Sequence, residues 1–307
     1  MRGKWLALAL AAGACGTDPG DDWVQVQGVP EVFSVNDVWS FAPDDVWAVG
    51  SQGTVLRFDG AAWSTEQAPV TSDLTGIWGF TPSDIWACGG TSILHYDGAT
   101  WSIVEDVEKH GLDGLTSIWA SSANDVWVAG DDAIFVHWNG TTSTRMTGPS
   151  PFNHHVFGTG PKDVWALGTF DLSHYDGTEW TAIDPGIFGG EGEVWGTGPA
   201  DIWVVTDSEE AAHWDGASFT VFQNDDLIGG LAALWGTASD DIWAAGAFGS
   251  IAHWNGSRWT QVQHQKIGSP QLRQFFGVHA SSSTDVWAVG QVLDDQGARG
   301  IVHHFEP

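Results

Sequence analysis

A repeating unit limits what this chain can fold into. The tripeptide Asp-Val-Trp or Asp-Ile-Trp occurs seven times, and successive copies lie 39, 41, 38, 38, 40 and 44 residues apart. Self-similarity at such a period is typical of solenoids and propellers, in which each repeat is one supersecondary unit. The seven copies are Asp45-Val46-Trp47, Asp84-Ile85-Trp86, Asp125-Val126-Trp127, Asp163-Val164-Trp165, Asp201-Ile202-Trp203, Asp241-Ile242-Trp243 and Asp285-Val286-Trp287.

Two further positions recur with each copy of this tripeptide, and the one upstream of it is at a fixed distance. Eight residues before its tryptophan stand Trp39, Trp78, Trp119, Phe157, Trp195, Trp235 and His279. After it, a His-(Tyr/Trp)-(Asp/Asn)-Gly motif begins at His95, His137, His174, His213 and His253. The first copy reads Arg57-Phe58-Asp59-Gly60 instead, and the seventh ends at His304-Phe305-Glu306-Pro307. The repeat accounts for 20 of the 21 tryptophans, all except Trp5.

Each unit divides into four short strands separated by turn-forming residues. In the second copy the strands are predicted over 74–80, 84–89, 92–97 and 100–105, with Asp97-Gly98 as a strong hairpin signal. The second strand is apolar on both faces, as expected of a strand covered on both sides. Four strands in each such repeat predict the blades of a β-propeller.

The ends of the chain predict how the ring closes. The seventh copy lacks its fourth strand, and residues 22–26 match the missing segment. Pairing these two ends would remove an exposed edge that invites aggregation. We therefore predict an all-β, seven-bladed propeller of four-stranded antiparallel blades over residues 22–307, closed by the N-terminal strand.

The segment from Asp45 to Trp63 resembles the repeat of BNR-like propellers, including the photosystem II assembly-factor type, and more loosely the tectonin-type repeat. The resemblance implies the propeller fold but no single function, because these families hold assembly factors, lectins and enzymes. The Asp-box of sialidases reads Ser-x-Asp-x-Gly-x-x-Trp, whereas here Asp or Asn directly precedes Gly. A sialidase would also need an arginine cluster and a tyrosine nucleophile, and both tyrosines, Tyr96 and Tyr175, are repeat positions.

The first residues are typical of an export signal. Arg2 and Lys4 precede a short apolar run, residues 5–14, that ends at Cys15. Small residues before a cysteine indicate a lipoprotein signal, with Cys15 as the lipidated mature N-terminus. The same residues also fit an ordinary signal-peptidase site. We expect a signal peptide over 1–14, a polar linker over 15–21, and a lipid-anchored protein of the bacterial envelope, at the outer membrane or cell surface, otherwise periplasmic or secreted.

Charge excludes several classes of partner. Ten basic residues stand against 39 acidic ones, a formal net charge of −29. Such a polyanion has no electrostatic route to nucleic acid or to an anionic membrane face. The two cysteines cannot form a disulfide framework, and Cys88 is predicted to be a buried free thiol.

Most of the repeated polar residues are predicted to be structural. We expect the repeat aspartates to cap backbone N–H groups at hairpin turns. The repeat histidines should bond to an aspartate or the backbone of their own blade, because one histidine per blade cannot converge on one metal ion. The repeat tryptophans should form the core.

The copies differ in the connections between blades and between the second and third strands, which share one face of a propeller. This rim is acidic, and we interpret it as either a solvated surface or a site for a basic protein patch or a calcium ion. The candidate residues are Asp131, Asp132, His154, His155, Asp171, Phe188, Asp207, Glu209, Glu210, Asp225, Asp226, Asp294 and Asp295.

We expect a monomeric, non-catalytic scaffold that binds a protein partner and needs no cofactor. A carbohydrate-binding propeller is the main alternative. A glycosidase or lyase that uses rim carboxylates with His154 or His155 is a third hypothesis, although no motif pairs an acid with a base.

Overall fold

The computed structural model describes residues 22–110, 114–130, 134–148, 153–169, 171–187, 189–190, 192–208, 210–223, 229–263 and 271–306. In this part of the chain, 28 strands form seven four-stranded antiparallel sheets. Two short 3₁₀ helices, Ser51–Gly53 and Val107–His110, are also present. None of the described helices has the length and apolar character needed to cross a membrane.

The strands follow the repeat. The first, β1 (Trp23–Gln25), precedes blade 1 in the chain. Blade 1 comprises β2 (Val35–Ala42), β3 (Asp45–Gly50), β4 (Thr54–Phe58) and β5 (Trp63–Glu66). Blade 2 comprises β6 (Gly76–Thr81), β7 (Asp84–Gly89), β8 (Ser92–Tyr96) and β9 (Trp101–Asp106). Blade 3 comprises β10 (Leu115–Ser122), β11 (Asp125–Gly130), β12 (Ile134–Trp138) and β13 (Ser143–Thr147). Blades 4 and 5 comprise β14 (Asn153–Gly160), β15 (Asp163–Gly168), β16 (Leu172–Tyr175) and β17 (Trp180–Ile183); and β18 (Gly192–Gly198), β19 (Asp201–Thr206), β20 (Glu210–Trp214) and β21 (Phe219–Gln223). Blades 6 and 7 comprise β22 (Leu231–Ala238), β23 (Asp241–Gly246), β24 (Ile251–Trp254) and β25 (Trp259–Gln263); and β26 (Leu272–Ser282), β27 (Asp285–Asp294), β28 (Gly297–Phe305) and the N-terminal β1.

Blade 7 is completed by the opposite end of the chain, as predicted. Strand β1 pairs antiparallel with β28, with Trp23 opposite Phe305 and Gln25 opposite His303. The pairing extends beyond the strand, because the Val26 N–H donates to the Val302 carbonyl at 2.9 Å. The predicted count of seven blades and the predicted closure are both confirmed.

The core lies between the blades. The seven repeat tryptophans are between 0% and 3% exposed, which confirms their predicted place in the core. Each packs on the next blade: the ring of Trp47, for example, lies 4.9 Å from Tyr96 and 6.1 Å from Trp101 of blade 2. A buried tryptophan removes about 150–250 Å² from water, an upper bound of several kcal/mol at about 25 cal/mol per Å². The buried Cys88 thiol is free, as predicted, and burial raises its pKa to about 12.

The repeat aspartates are structural, but the predicted backbone capping is wrong for them. In six blades the aspartate accepts from the indole Nε1–H of its repeat tryptophan at 2.8 to 3.2 Å. In six blades it also accepts from the Nε2 of the repeat histidine at 2.6 to 3.0 Å. A Ser or Thr hydroxyl of the first strand also donates to Asp125, Asp163, Asp201, Asp241 and Asp285. The predicted histidine-to-aspartate bond is therefore confirmed.

Backbone capping belongs instead to the aspartate or asparagine of the Asp/Asn-Gly turn. The Oδ1 atom of Asp59 accepts from the N–H groups of Ala61 and Ala62, each at 2.9 Å. The following Gly60 has a φ of +84°, which favours glycine. These two features fix the hairpin between the third and fourth strands, and Asp97, Asn139, Asp176, Asp215 and Asn255 bond in the same way.

Candidate functional site

A cavity of about 370 Å³ occupies the axis of the ring. The first strand of each blade is the inner strand, and these seven strands contact one another around the axis. All seven contribute to the cavity with residues at or before the repeated aromatic position, which is Trp39 in β2 and His279 in β26. The cavity therefore lies at the end of the channel where the connections between blades enter, which is the face that the sequence analysis selects.

Aromatic side chains close the far side of this cavity. Trp39 of blade 1 lies 5.2 Å from Trp235 of blade 6, and Trp78 of blade 2 lies 6.0 Å from the same ring. These blades are not neighbours, so the indoles meet across the axis and form a floor. His279 belongs to the same layer, with ring centroids 4.2 Å from Trp39 and 4.2 Å from Trp235.

The floor explains the glycine that follows the aromatic position in several blades. A Cβ added to Gly158 would lie 2.6 Å from the Trp119 indole of the preceding blade. At Gly236 it would lie 2.5 Å from Trp195. An indole from one blade thus lies against the backbone of the next, and only a small residue permits that approach.

Polar side chains form the wall above the floor, two residues before the aromatic position. In four blades this side chain accepts a hydrogen bond from an inner-strand N–H of the next blade. The bonds are Ile77 N–H to Asp37 Oδ2 (2.9 Å), Val156 N–H to Ser117 Oγ (3.2 Å), Val194 N–H to His155 Nδ1 (3.3 Å) and Leu234 N–H to Glu193 Oε2 (2.6 Å). The other three blades carry Gly76, Ala233 and Gly277 here, which offer no side-chain acceptor.

The wall carboxyls have unusual electrostatics. Burial raises the pKa of Asp37 to about 7, although the N–H groups of Ile77 and Val38 oppose the shift. Burial raises the pKa of Glu193 well above its usual range, and the charge of Asp37 adds to the effect. A raised carboxyl pKa in a cavity marks a candidate functional site.

His155 is held neutral beside Glu193. Burial lowers its pKa to about 3. Its Nδ1 accepts the Val194 N–H, so the ring proton lies on Nε2, 3.6 Å from Glu193 Oε1. His155 and Glu193 therefore form a polar pair on one side of the cavity.

Some predicted rim residues lie in the described connections between the second and third strands. These are Asp171, Asp207 and Asp295; Glu210 begins β20 and Asp294 ends β27, so both flank such a connection. Three of them are engaged within the protein: Asp207 accepts from Gly190 N–H at 2.7 Å, Glu210 from Gln223 at 3.1 Å, and Asp294 from Arg299 at 3.1 Å. The other predicted residues Cys15, Asp131, Asp132, Phe188, Glu209, Asp225 and Asp226 lie outside the described residues.

The predicted position of the two histidines in a rim loop is wrong. His154 and His155 belong to the inner strand β14, and His155 pairs with Leu167 of β15. The register of the repeat dictates this place, because His155 stands two residues before Phe157 as Asp37 stands before Trp39. Sequence reasoning missed Asp37 and Glu193 as site residues, although the same spacing would have found them.

The described residues contain no group of three or more His, Cys, Asp or Glu side chains placed to hold a metal ion. The predicted calcium site at the rim therefore has no support among them.

No family model matches this sequence, and a search of curated proteins finds no match. Solved structures do resemble it. Ycf48 bound to D1 peptide superposes with a TM-score of 0.71 at 16% identity, over 93% of this chain and 97% of the other. Ycf48 from Cyanidioschyzon merolae gives 0.67 at 16% identity, over 93% and 98%. The WD40 β-propeller domain of Doa1 gives 0.70 at 11% identity, over 91% and 95%.

The chain is a seven-bladed β-propeller. The likeness to Ycf48 confirms, at the level of the fold, the predicted resemblance to propellers of the photosystem II assembly-factor type. At these identities the similarity concerns the fold alone, so the function of this propeller has to be argued from its own cavity and rim.

Proposed function

We propose that this propeller is a non-catalytic scaffold that recognises a partner protein through its loop-bearing face, with the central cavity as the focus of binding. The observation that carries the proposal is the position of the cavity. It combines an apolar aromatic floor with a few polar wall groups, and it lies among the connections in which the repeats differ. Concave sites of this composition are the usual ligand-binding sites of proteins.

The fate of the repeated polar groups supports a binding role over catalysis. Burial opposes ionisation of Asp285, but hydrogen bonds from His304, Ser281 and Ser40 outweigh it and lower its pKa to about 2. The repeat histidines are likewise committed to their aspartates. These groups hold the blades together, which leaves the cavity and the rim to recognise a partner.

The comparison with Ycf48 supports a protein as the partner, because that propeller has been solved with a bound D1 peptide. The acidic composition favours a basic surface or segment on the partner, since complementary charge steers association. Glycan binding is the competing outcome. The repeat tryptophans that would form seven equivalent sugar sites are buried, so these residues offer no such platform.

Export and lipid anchoring form part of the proposal. Cys15 follows a short apolar run, and lipidation there would tether the propeller to a membrane of the envelope. The intact mass of the full chain extracted from membranes tests this: attached acyl chains support the anchor, and an unmodified mature chain contradicts it.

A random-peptide display selection on the full-length protein, run beside a glycan array, tests the binding function. We expect enriched peptides that bind with one site per chain in calorimetry and that weaken as salt is raised. Peptide binding that is unaffected by substitutions in the cavity and at the rim would contradict the proposed site. A selection without peptide binders would contradict the proposed function, and glycan binding at several sites per chain would support the carbohydrate-binding alternative.

A further inference from the structure

The described wall of the central cavity holds two carboxyl groups with no lysine or arginine beside them. Asp37 and Glu193 stand in its wall, near enough for the charge of Asp37 to act on Glu193. Among the described residues that line the cavity there is no lysine or arginine. The other titratable groups that face this pair are His155, His279 and, behind the wall, Cys88, none of which carries a positive charge at neutral pH.

Backbone capping accounts for only part of what these carboxyls can do. Asp37 accepts from Val38 N–H at 2.8 Å and Ile77 N–H at 2.9 Å, one bond to each oxygen. Each carboxylate oxygen can accept two hydrogen bonds, so both oxygens keep capacity for a further donor. Blades 2, 6 and 7 carry glycine or alanine at this position, so a carboxyl is not needed to build the wall.

The floor adds an independent observation. His279 lines the cavity, is only 4% exposed, and its Nε2 has no hydrogen-bond partner. Its Nδ1 accepts from Ser40 N–H at 3.0 Å, so Nε2 carries the ring proton and is a buried donor that lacks an acceptor. Buried donors without partners are uncommon in native proteins, and such a group calls for an explanation that a bound ligand would supply.

We propose that the cavity binds the cationic side chain of a lysine or arginine, presented by a polypeptide segment of the partner. The ammonium or guanidinium group donates to Asp37 and Glu193 and lies over the indoles of the floor. A carbonyl oxygen of the same segment accepts from His279, which favours a polypeptide over a free inorganic cation. This inference rests on the proposed function and names the chemistry of its ligand.

The direct test uses defined probes on the full-length protein. These are n-butylammonium, methylguanidinium, and acetylated, amidated pentapeptides with a central Lys, Arg, Gln or norleucine between Gly and Ser residues. Indole N–H resonances of Trp39, Trp78 and Trp235 report on the floor. We expect saturable shifts with the Lys or Arg peptides and with the two cations, none with sodium at equal ionic strength, and weaker binding of the Gln and norleucine peptides. Comparison of the Lys and Arg peptides identifies the preferred side chain.

Conservative variants identify the groups involved. Asp37→Asn and Glu193→Gln keep an acceptor oxygen for the backbone N–H and remove the charge. Each should weaken cation binding by roughly tenfold or more, as expected for loss of a charge-assisted hydrogen bond. Asp59→Asn removes the same charge from a hairpin turn on the opposite face, where blades 3 and 6 carry Asn139 and Asn255, and should leave binding unchanged. Circular dichroism and thermal melting show which variants are folded.

The pH dependence gives a second readout. The cation binds the ionised carboxyls, so affinity should rise between about pH 6 and about pH 8 and binding should release protons. Equal affinity for the Lys and norleucine peptides, or wild-type cation binding by folded Asp37→Asn and Glu193→Gln, would overturn the inference. If selected peptides bind without a basic residue, the inference fails while the proposed function stands; if no peptide binds at all, the proposed function itself fails.

Discussion

The guanidinium of Arg57 lies beside the carboxylate of Asp45, with 3.5 Å between Nε and Oδ1, in the place that a histidine takes in the other six blades. It also covers the repeat tryptophan of its blade, since its Cζ lies 4.9 Å from the centre of the Trp47 ring. In the other blades the histidine ring packs on the repeat tryptophan, as His137 does on Trp127 at 4.3 Å. Two different cationic or donor groups thus perform one structural task.

Arg57→His should therefore be tolerated, whereas Arg57→Ala should not. The alanine variant loses a partly buried ion pair and a cation–π contact, about 1 kcal/mol of unfolding free energy together. The histidine variant should stay within about 0.5 kcal/mol of wild type, because six other blades use that residue. Urea unfolding of both variants measures the difference. Equal destabilisation by His and Ala would show that Arg57 has a role that histidine cannot take.

The aspartate of blade 7 should matter more than that of blade 2. Asp285 has a side chain only 1% exposed and accepts from His304, Ser281, Ser40 and Trp287, whereas the Asp84 side chain is 34% exposed. Asp285→Asn should cost about 2–4 kcal/mol, because buried donors lose a charged acceptor, and Asp84→Asn about 1 kcal/mol. Chemical denaturation of the pair tests this order; an equal loss would mean that burial does not set the strength of the network.

Most of the stability that β1 adds to the propeller should come from Trp23. Trp23 is 7% exposed and packs 5.6 Å from both Trp243 and Phe305. Trp23→Ala should cost about 3–5 kcal/mol, as for other large-to-small core changes. The neighbouring Val24 is 44% exposed, so Val24→Ala is the matched control and should change stability by less than about 0.5 kcal/mol. Similar losses at both positions would contradict a packed closure.

Asp37 should make the folded state less stable as pH rises. Its folded pKa, about 7, is above the unfolded value, so between about pH 4 and about pH 7 the folded state binds more protons than the unfolded state. The folded state loses stability over that range as pH rises. Asp37→Asn removes this dependence, so its stability relative to wild type should increase from about pH 4 to about pH 7, by on the order of 2 kcal/mol. Denaturation curves across that range measure it, and a constant difference would show that the carboxyl titrates normally.

His279 should have the opposite dependence. Burial lowers its pKa to about 3, so as pH falls below the unfolded value of 6.5 the unfolded chain takes up a proton that the folded chain refuses. Wild type therefore loses stability as the pH falls from about 6.5 to about 4. The His279→Phe variant lacks this contribution to the loss. At neutral pH the phenylalanine variant should be about 1–3 kcal/mol less stable, because the Ser40 N–H loses its acceptor. The difference in unfolding free energy between the two proteins should become smaller as the pH falls. A difference that stays constant would show that a group other than His279 causes the loss in acid.

Sequence repetition predicts the frame of this propeller well. The tripeptide spacing predicts seven blades, and the strands predicted for the second copy lie within two residues of the observed β6 to β9. The match between residues 22–26 and the missing fourth strand predicts the pairing of β1 with β28. Repetition is informative here because every blade has the same two neighbours and so needs the same buried residues.

The candidate site is harder to predict for the same reason. Asp37, Ser117, His155 and Glu193 occupy one repeat position, but glycine or alanine replaces them in three blades, so the position reads as variable. The connections at the rim also vary between the repeats, and the sequence analysis therefore placed the candidate site there. Asp45 and Asp59 are the same residue type, so the sequence alone does not show which of them caps the backbone. Their roles differ because the register of the sheet places them in different turns.

The pairing of β1 with β28 places Trp23 opposite Phe305, 282 positions later in the chain. During synthesis from the N-terminus, β1 has no strand to pair with until the last blade has been made. Until then the indole of Trp23 is exposed to solvent or to a chaperone. A chain truncated before Gly297 lacks β28 and cannot bury that side chain. The unpaired strand edges of β1 and β27 could then pair with those of another molecule.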